Sequence, residues 1–298
     1  MSNWRPSSGP AAARRRAALI ERARAYFQEQ NVLAVDTPAL SKYAASDPNI
    51  ESLGVRGQAE GELFLNTSPE FCMKRLRASG YPDIYSICRV FRSGELGKRH
   101  APEFTMVEWY RLDFDLESII ADTIRFVAAC LESPRLERNF TCYDYADVFM
   151  KFANIDIFSA TADELASLCN ADARLESQIG ADVHAWFDLI MSTIIAPQFA
   201  KDQLTVVRHY PAAQAALARL CPANDQVADR FELFCGNLEL ANGYVELRDV
   251  AEQQRRIEQD LAVRRSKGRP VNPPDERLIA ALASGLPACA GVAAGIER

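Results

Sequence analysis

An α+β fold built on a largely antiparallel sheet flanked by helices is what the sequence predicts. Strand-like stretches are separated by short turns, one carrying Gly94 and Gly97 and another Asn242-Gly243. Helical stretches flank them, the strongest running from Leu116 to Leu131. No internal repeat or low-complexity linker interrupts the 298 residues, which suffice for a substantial core as one large domain or two smaller ones.

Along the chain, Arg14, Arg15 and Arg16 followed by alanine could suggest a targeting segment. Leu19, Ile20, Ala23, Tyr26 and Phe27 instead suit one face of an amphipathic helix, and a structural N-terminal helix is the reading adopted. Val32 to Pro38 reads as a short strand halted by proline, residues 40–61 as polar loop, and Glu62 to Asn66 as another strand. From Ser68 to Ala78 a helix is predicted: Ser68 can cap it, Pro69 suits its first turn, and Glu70 favours its positive end. Ile84 to Phe91 and Phe104 to Leu112 read as the arms of a hairpin. The helix at Leu116 to Leu131 would bury Ile119, Ile120, Ile124, Val127 and Leu131. Residues 133–203 read as helices and turns, a helical insertion, with Thr161 to Leu175 and Val183 to Ile195 the clearest helices and His184 and Trp186 as packing. Leu204 to Arg208 opens a strand-rich stretch in which Arg230 to Leu240 and Tyr244 to Leu247 bracket an Asn242-Gly243 turn. Asp249 to Lys267 and Pro274 to Ala283 read as helices before the closing GLPACAGVAAGIER.

Hydrophobic content of 48% and charged content of 25% are ordinary for a globular protein. No apolar run is long enough to span a membrane, and the first residues do not form a signal peptide. The eight cysteines are scattered without a CxxC pair, as for reduced thiols in a cytoplasm. Histidines stand only at 100, 184 and 209, without metal-ligand spacing, so no structural zinc is expected. A net charge of −6 argues against a broad nucleic-acid surface but leaves room for a local basic patch.

The richest stretch is Arg89 to Arg111, RVFRSGELGKRHAPEFTMVEWYR. Period two puts Phe104, Met106, Glu108 and Tyr110 on one strand face. Aromatics around a carboxylate suit a cationic, partly apolar ligand. The loop supplies Arg92, Lys98, Arg99 and His100, which suit phosphate oxygens. The residues alone also admit surface ion pairs and ordinary sheet packing.

This segment closely resembles motif 2 of class II aminoacyl-tRNA synthetases in its lysyl form. RHAPEFTMVEWY is more similar still to their short paralogues, the elongation factor P–(R)-β-lysine ligases. VLAVDTPAL resembles motif 1, which ends at Pro38 and in the family forms the dimer interface; a strand ended by Thr-Pro explains it equally well. GVAAGIER resembles motif 3, although a Gly/Ala-rich turn before a helix is common. TSPEFCMKRL and LELANGYVEL resemble two lysine-specific segments; for the second, a solvated strand face ending in a hairpin is the alternative.

The resemblance implies a class II synthetase-like catalytic domain over residues 1–298, a homodimer, ATP and Mg²⁺. It makes Arg92, Glu239 and Arg298 the catalytic residues, with Arg92 on the α-phosphate. Arg99, His100 and Arg298 would hold the outer phosphates, and Phe104 would stack on adenine. Ser93, Gly94, Ala101, Leu240 and Gly295 complete the implied ATP site. Mg²⁺ falls to Glu239 and Glu246. Ser68, Pro69 and Glu70 would receive the amino end of (R)-β-lysine or lysine. Glu108, Tyr110 and Glu246 would enclose the far ammonium, and Ala293 stands where synthetases usually have glycine.

The first forty residues already hold motif 1, which leaves no room for the anticodon-reading OB-fold of roughly a hundred residues. The implied acceptor is therefore a lysine of elongation factor P and not tRNA; another acceptor, or an inactive regulatory paralogue, are the alternatives. Three departures stand out. Glutamate follows Arg92 at the third position, Glu95, and not at the second. Ala101 replaces a common asparagine. The sequence stops at Arg298, where a further core helix is expected.

Overall fold

The computed structural model describes residues 4–56, 61–97 and 100–298. Helix α1 (Pro10–Glu29) begins at a proline, which suits a first turn, and leads into the two-residue strand β1 (Leu33–Ala34). The predicted 40–61 loop contributes two short strands, β2 (Leu40–Ser41) and β3 (Gly54–Val55), which pair on either side of β4 (Leu63–Leu65). Helix α2 (Glu70–Ala78) precedes the hairpin of β5 (Ile84–Phe91) and β6 (Glu103–Leu112). Then come α3 (Leu116–Cys130), capped by Asp115, and β7 (Phe140–Asp144).

Helices α4 (Tyr145–Ala153), α5 (Ala162–Leu168), α6 (Ala173–Ile179) and α7 (Val183–Ile190) pack around Tyr145, Phe149, Trp186 and Phe187. The expected helix from Thr161 to Leu175 is thus two. Thr161 caps the first in a reciprocal bond with Glu164, and Asp172 caps the second. Asn170, at φ 49°, takes the left-handed conformation that ends the first. Leu131, expected on the buried face of α3, is 52% exposed just past its end.

Strands β8 (Leu204–Pro211), β9 (Leu220–Cys221), β10 (Asn224–Cys235) and β11 (Leu238–Val245) follow, then α8 (Val250–Ser266), α9 (Glu276–Gly285) and β12 (Cys289–Gly295). The nine-stranded main sheet runs β1-β5-β6-β12-β11-β10-β8-β7, with β9 on β10. Its interior is antiparallel; the outer pairs β1–β5 and β7–β8 are parallel.

Two expectations need correction. The β10–β11 turn falls at Gly236 (φ 54°), so Asn242-Gly243 lies within β11, opposite Glu232 and Phe231. A Cβ on Gly243 would sit 2.7 Å from both Phe231 Cε1 and Val292 Cγ2. Glycine is there because the neighbouring strands' side chains cross it. The alternative for GVAAGIER, a Gly/Ala-rich turn, also falls: its first five residues end the strand β12, between β6 and β11.

One sheet face is covered by α1 and α3. Phe27 stacks on Tyr85 at 4.3 Å, and Trp109 meets Phe126 at 4.8 Å. Burying such side chains stabilises by about 1.5–3 kcal/mol each. Fully buried Asp122 ties the layer together: it accepts from Tyr26 Oη (2.7 Å) and Trp109 Nε1 (3.1 Å), and pairs with Arg111 (3.6 Å). Period two along β6 sends Val107 and Trp109 into this core and turns Met106, Glu108 and Tyr110 to the opposite face.

Candidate active site

That opposite face, closed by α2 and the small sheet, forms a cavity lined by Ser68, Glu70, Met106, Glu108, Tyr110 and Glu246, with Ala293 on its floor. Pro69 stands at the N-cap of α2, and Ser68 Oγ accepts from the Glu70 amide at 3.0 Å. The same hydroxyl donates to Glu108 Oε2 at 2.7 Å, while Tyr110 Oη donates to Oε1 at 2.8 Å. Tyr244 Oη donates to Glu70 Oε1. Lys74, one turn beyond Glu70, places Nζ 2.7 Å from Glu70 Oε1 and 2.6 Å from Glu246 Oε2.

Carboxylates here are reluctant to ionise. Burial pushes Glu108 up to about 8, helped by the charge of Glu70 and opposed by its two hydroxyl donors. Burial likewise raises Glu246 to about 8, against the pull of Lys74. Burial alone would lower Lys74, but Glu246 and Glu70 outweigh it and its pKa is raised. Gly291 gives the group its room, because a Cβ there would meet Tyr110 Cε1 at 2.6 Å and Glu246 Oε1 at 2.7 Å.

A second recess lies along the same face, lined by Glu95, His100, Ala101, Phe104, Gly295 and Arg298. Arg92 lines the deeper cavity and lies 5.2 Å over the Phe104 ring, joining the two. Its Nε donates to the Thr67 carbonyl at 3.3 Å, and Nη1 is 3.7 Å from Glu95. Ser93 pairs with Glu51 as an isolated bridge, and Gly94 takes φ 79°, which suits glycine. Arg298 is anchored: Nη1 is 2.9 Å from Glu239 Oε2, and Nη2 lies 3.1 Å from His100 Nε2. Arg99 and Lys98 lie outside the described residues.

Three placements differ from the sequence reading. Leu240 is the extra residue of a bulge in β11, and its side chain packs against the core; it does not enter the recess. Glu246 does not share surroundings with Glu239: the charges acting on it are Lys74, Glu70 and Glu108. The carboxyl that feels Glu239 is Glu232, which sequence reasoning missed. Burial and the Glu239 charge raise it to about 7, against Arg230, whose Nη2 is 2.7 Å away. Its signal was alternation, which places Arg230 and Glu232 on the same face of an apolar strand.

The fold also brings His209 within 4.8 Å of Cys221 and Asp229, despite their separation in sequence. Two of the three are already engaged, His209 with Asp144 (3.2 Å) and Asp229 with Arg219 (2.7 Å). The sheet of mixed direction, an arginine-walled recess and an adjoining acidic cavity define a class II synthetase-type catalytic domain. The family described as tRNA synthetases class II (D, K and N) matches residues 4–298.

Among curated proteins, the chain is 38% identical over 307 residues to an elongation factor P–(R)-β-lysine ligase of Mannheimia succiniciproducens, covering 99% of this chain and 91% of that one. The ligases so named from Klebsiella pneumoniae (37% over 306 residues, 100% and 92% covered) and Avibacterium paragallinarum (36% over 303, 99% and 92%) are similar to the same degree. The chain belongs to the elongation factor P–(R)-β-lysine ligase family.

Proposed function

We propose that this chain activates (R)-β-lysine with ATP and transfers it to a lysine side chain of elongation factor P. The observation that carries this reading is the convergence of Glu70, Glu108 and Glu246 on one cavity beside an arginine-walled recess. A substrate with two ammonium groups and one carboxylate matches that layout. Its ammoniums meet the acidic end, and its carboxylate points toward Arg92.

The substrate carboxylate attacks the ATP α-phosphorus, pyrophosphate leaves, and the lysine amine then attacks the adenylate carbonyl to give an amide and AMP. The protein forms no bond of its own; it aligns two anions and offsets the charge that grows between them. Arg92, between cavity and recess, faces the α-phosphate. His100 and Arg298 face the outer phosphates, and Phe104 offers a ring to adenine. Glu70 takes the β-ammonium, and Glu108, Tyr110 and Glu246 the distal one. Glu232 and Glu239 supply hard oxygen donors that would hold Mg²⁺ beside the arginines each already faces, Arg230 at 2.7 Å and Arg298 at 2.9 Å. Bound there, Mg²⁺ would neutralise phosphate charge.

The reading includes a homodimer through the segment around Pro38, supported by Leu33 and Leu40, 45% and 46% exposed on either side of it. Leu33→Glu with Leu40→Glu should then convert a dimer into a monomer in sedimentation velocity; wild-type protein sedimenting as a monomer would refute the dimer. Among the described residues no helix is long and apolar enough to cross a membrane. All eight cysteines are free, which supports a cytoplasmic setting.

The deciding test is ATP–pyrophosphate exchange with (R)-β-lysine and α-lysine, followed by labelling of elongation factor P. Strong exchange with β-lysine and labelled factor are expected. Exchange without labelling would point to another acceptor. ATP binding without exchange would point to an inactive paralogue.

A further inference from the structure

Lys74 has no part in the reaction as described, yet it is buried against Glu70 and Glu246, two carboxylates of the cavity wall. Its side chain is 1% exposed and Glu246's is 0%. The Nζ bridges Glu70 and Glu246 and lies 5.4 Å from the Tyr244 ring. Such a buried ammonium is costly unless paired, and here it is paired twice. Glu108 differs, because its two oxygens are met by the neutral hydroxyls of Ser68 and Tyr110. The acidic end of the cavity thus combines three carboxylates with one buried ammonium, apart from Arg92, Arg230, Asp47, Asp260 and Asp275 along the rest of its wall.

We propose that Lys74 is a specificity-determining residue, an interior cation that cancels one of the three carboxylates and so sets the cavity's demand at two positive charges. This rests on the substrate reading above and deepens it. A diamino acid brings two ammoniums to the cavity while its carboxylate faces the nucleotide. A monoamino acid leaves one buried carboxylate uncompensated, at a cost that an apolar contact cannot recover. The pairing also commits Glu246 Oε2 to Lys74. Neither Glu246 oxygen receives a directed hydrogen bond among the described residues, but Oε2 faces Lys74 Nζ at 2.6 Å, so Oε1, beside Gly291, is the oxygen left for substrate.

Charge counting makes an unusual prediction. Assayed at pH 9, where Glu108 and Glu246 are ionised, Glu246→Gln alone leaves the acidic end at minus one and should raise KM for (R)-β-lysine. Adding Lys74→Met restores minus two and should lower that KM again by about tenfold, with kcat little changed between the two variants. For (R)-3-aminohexanoate, which has hydrogen in place of the distal ammonium, the order should invert, with Glu246→Gln the better variant. ATP affinity, measured on each protein, reports that the fold is kept.

The double variant buries no unpaired cation, so it also serves if Glu246→Gln does not fold. Its KM for β-lysine should then lie within about tenfold of wild type, and a loss beyond a hundredfold would overturn the inference. A double variant no better than Glu246→Gln, or equal effects on both substrates, would overturn it too and mark Lys74 as structural. Wild-type protein with no β-lysine exchange would instead overturn the substrate reading itself.

Discussion

Arg92 is the side chain shared by the two halves of the cleft, since it lines the acidic cavity and overlies the Phe104 ring of the second recess. Arg92→Ala should cut the exchange rate by about 10²–10³-fold, the usual loss when a fixed donor to developing charge is removed. A variant within a few-fold of wild type would mean that the α-phosphate lies elsewhere. Glu108 and Glu246 make a second prediction. Both are raised to about 8, so at pH 6 they are mostly protonated and offer an ammonium little charge. Raising pH through about 8 ionises them, so KM for β-lysine should fall between pH 6 and pH 9. A flat profile at saturating ATP would show that substrate does not bind against these carboxylates. Arg92 and Glu108 were singled out in advance by loop chemistry and strand alternation, and Glu246 by the resemblance of its segment to a lysine-specific one. Glu232 was not, because the charge of Glu239 that acts on it arrives from the next strand. Lys74 was not either, because four-residue spacing from Glu70 looks like an ordinary surface pair until the helix is buried.

Elements were legible where hydrophobic period and caps agree. Helices α3 and α8 and the β5–β6 hairpin follow the expected stretches closely, and Asp115 and Asp249 cap the two helices. Failures came where a local signal had a tertiary cause. Asn242-Gly243 has turn chemistry, yet Asn242 receives Arg230 Nε (3.4 Å) and donates to Glu232 (3.2 Å), and Gly243 makes room for Phe231 and Val292. Gly243→Ala tests this directly. Its cost should be about 1–3 kcal/mol from overpacking between three strands, read as a lower urea midpoint at constant slope. A neutral result would restore the turn reading. Strand β12 escaped notice for a related reason: alanine and glycine carry little β propensity, and only packing between β6 and β11 makes this run a strand.

At the scale of the molecule, the acidic cavity places a load on stability that substrate should relieve. A carboxyl raised in the folded state binds protons that the unfolded chain has released. Stability is therefore lost as pH rises from the ordinary carboxyl range through about 8. The melting temperature of the free protein should decline from pH 6 to pH 8, and β-lysine should raise it more at pH 8. Equal shifts at both pH values would place the ligand outside the cavity. Strand order carries a different consequence. The strand that joins β1-β5-β6 to β11-β10-β8-β7 is β12, which follows all eleven others along the chain. Until a ribosome has delivered it, the growing polypeptide exposes two sticky borders, each an unpaired row of amides and carbonyls. The molecule is thus most vulnerable to clumping before β12 emerges, and joining the two halves of the sheet is a long-range capture, slow by nature.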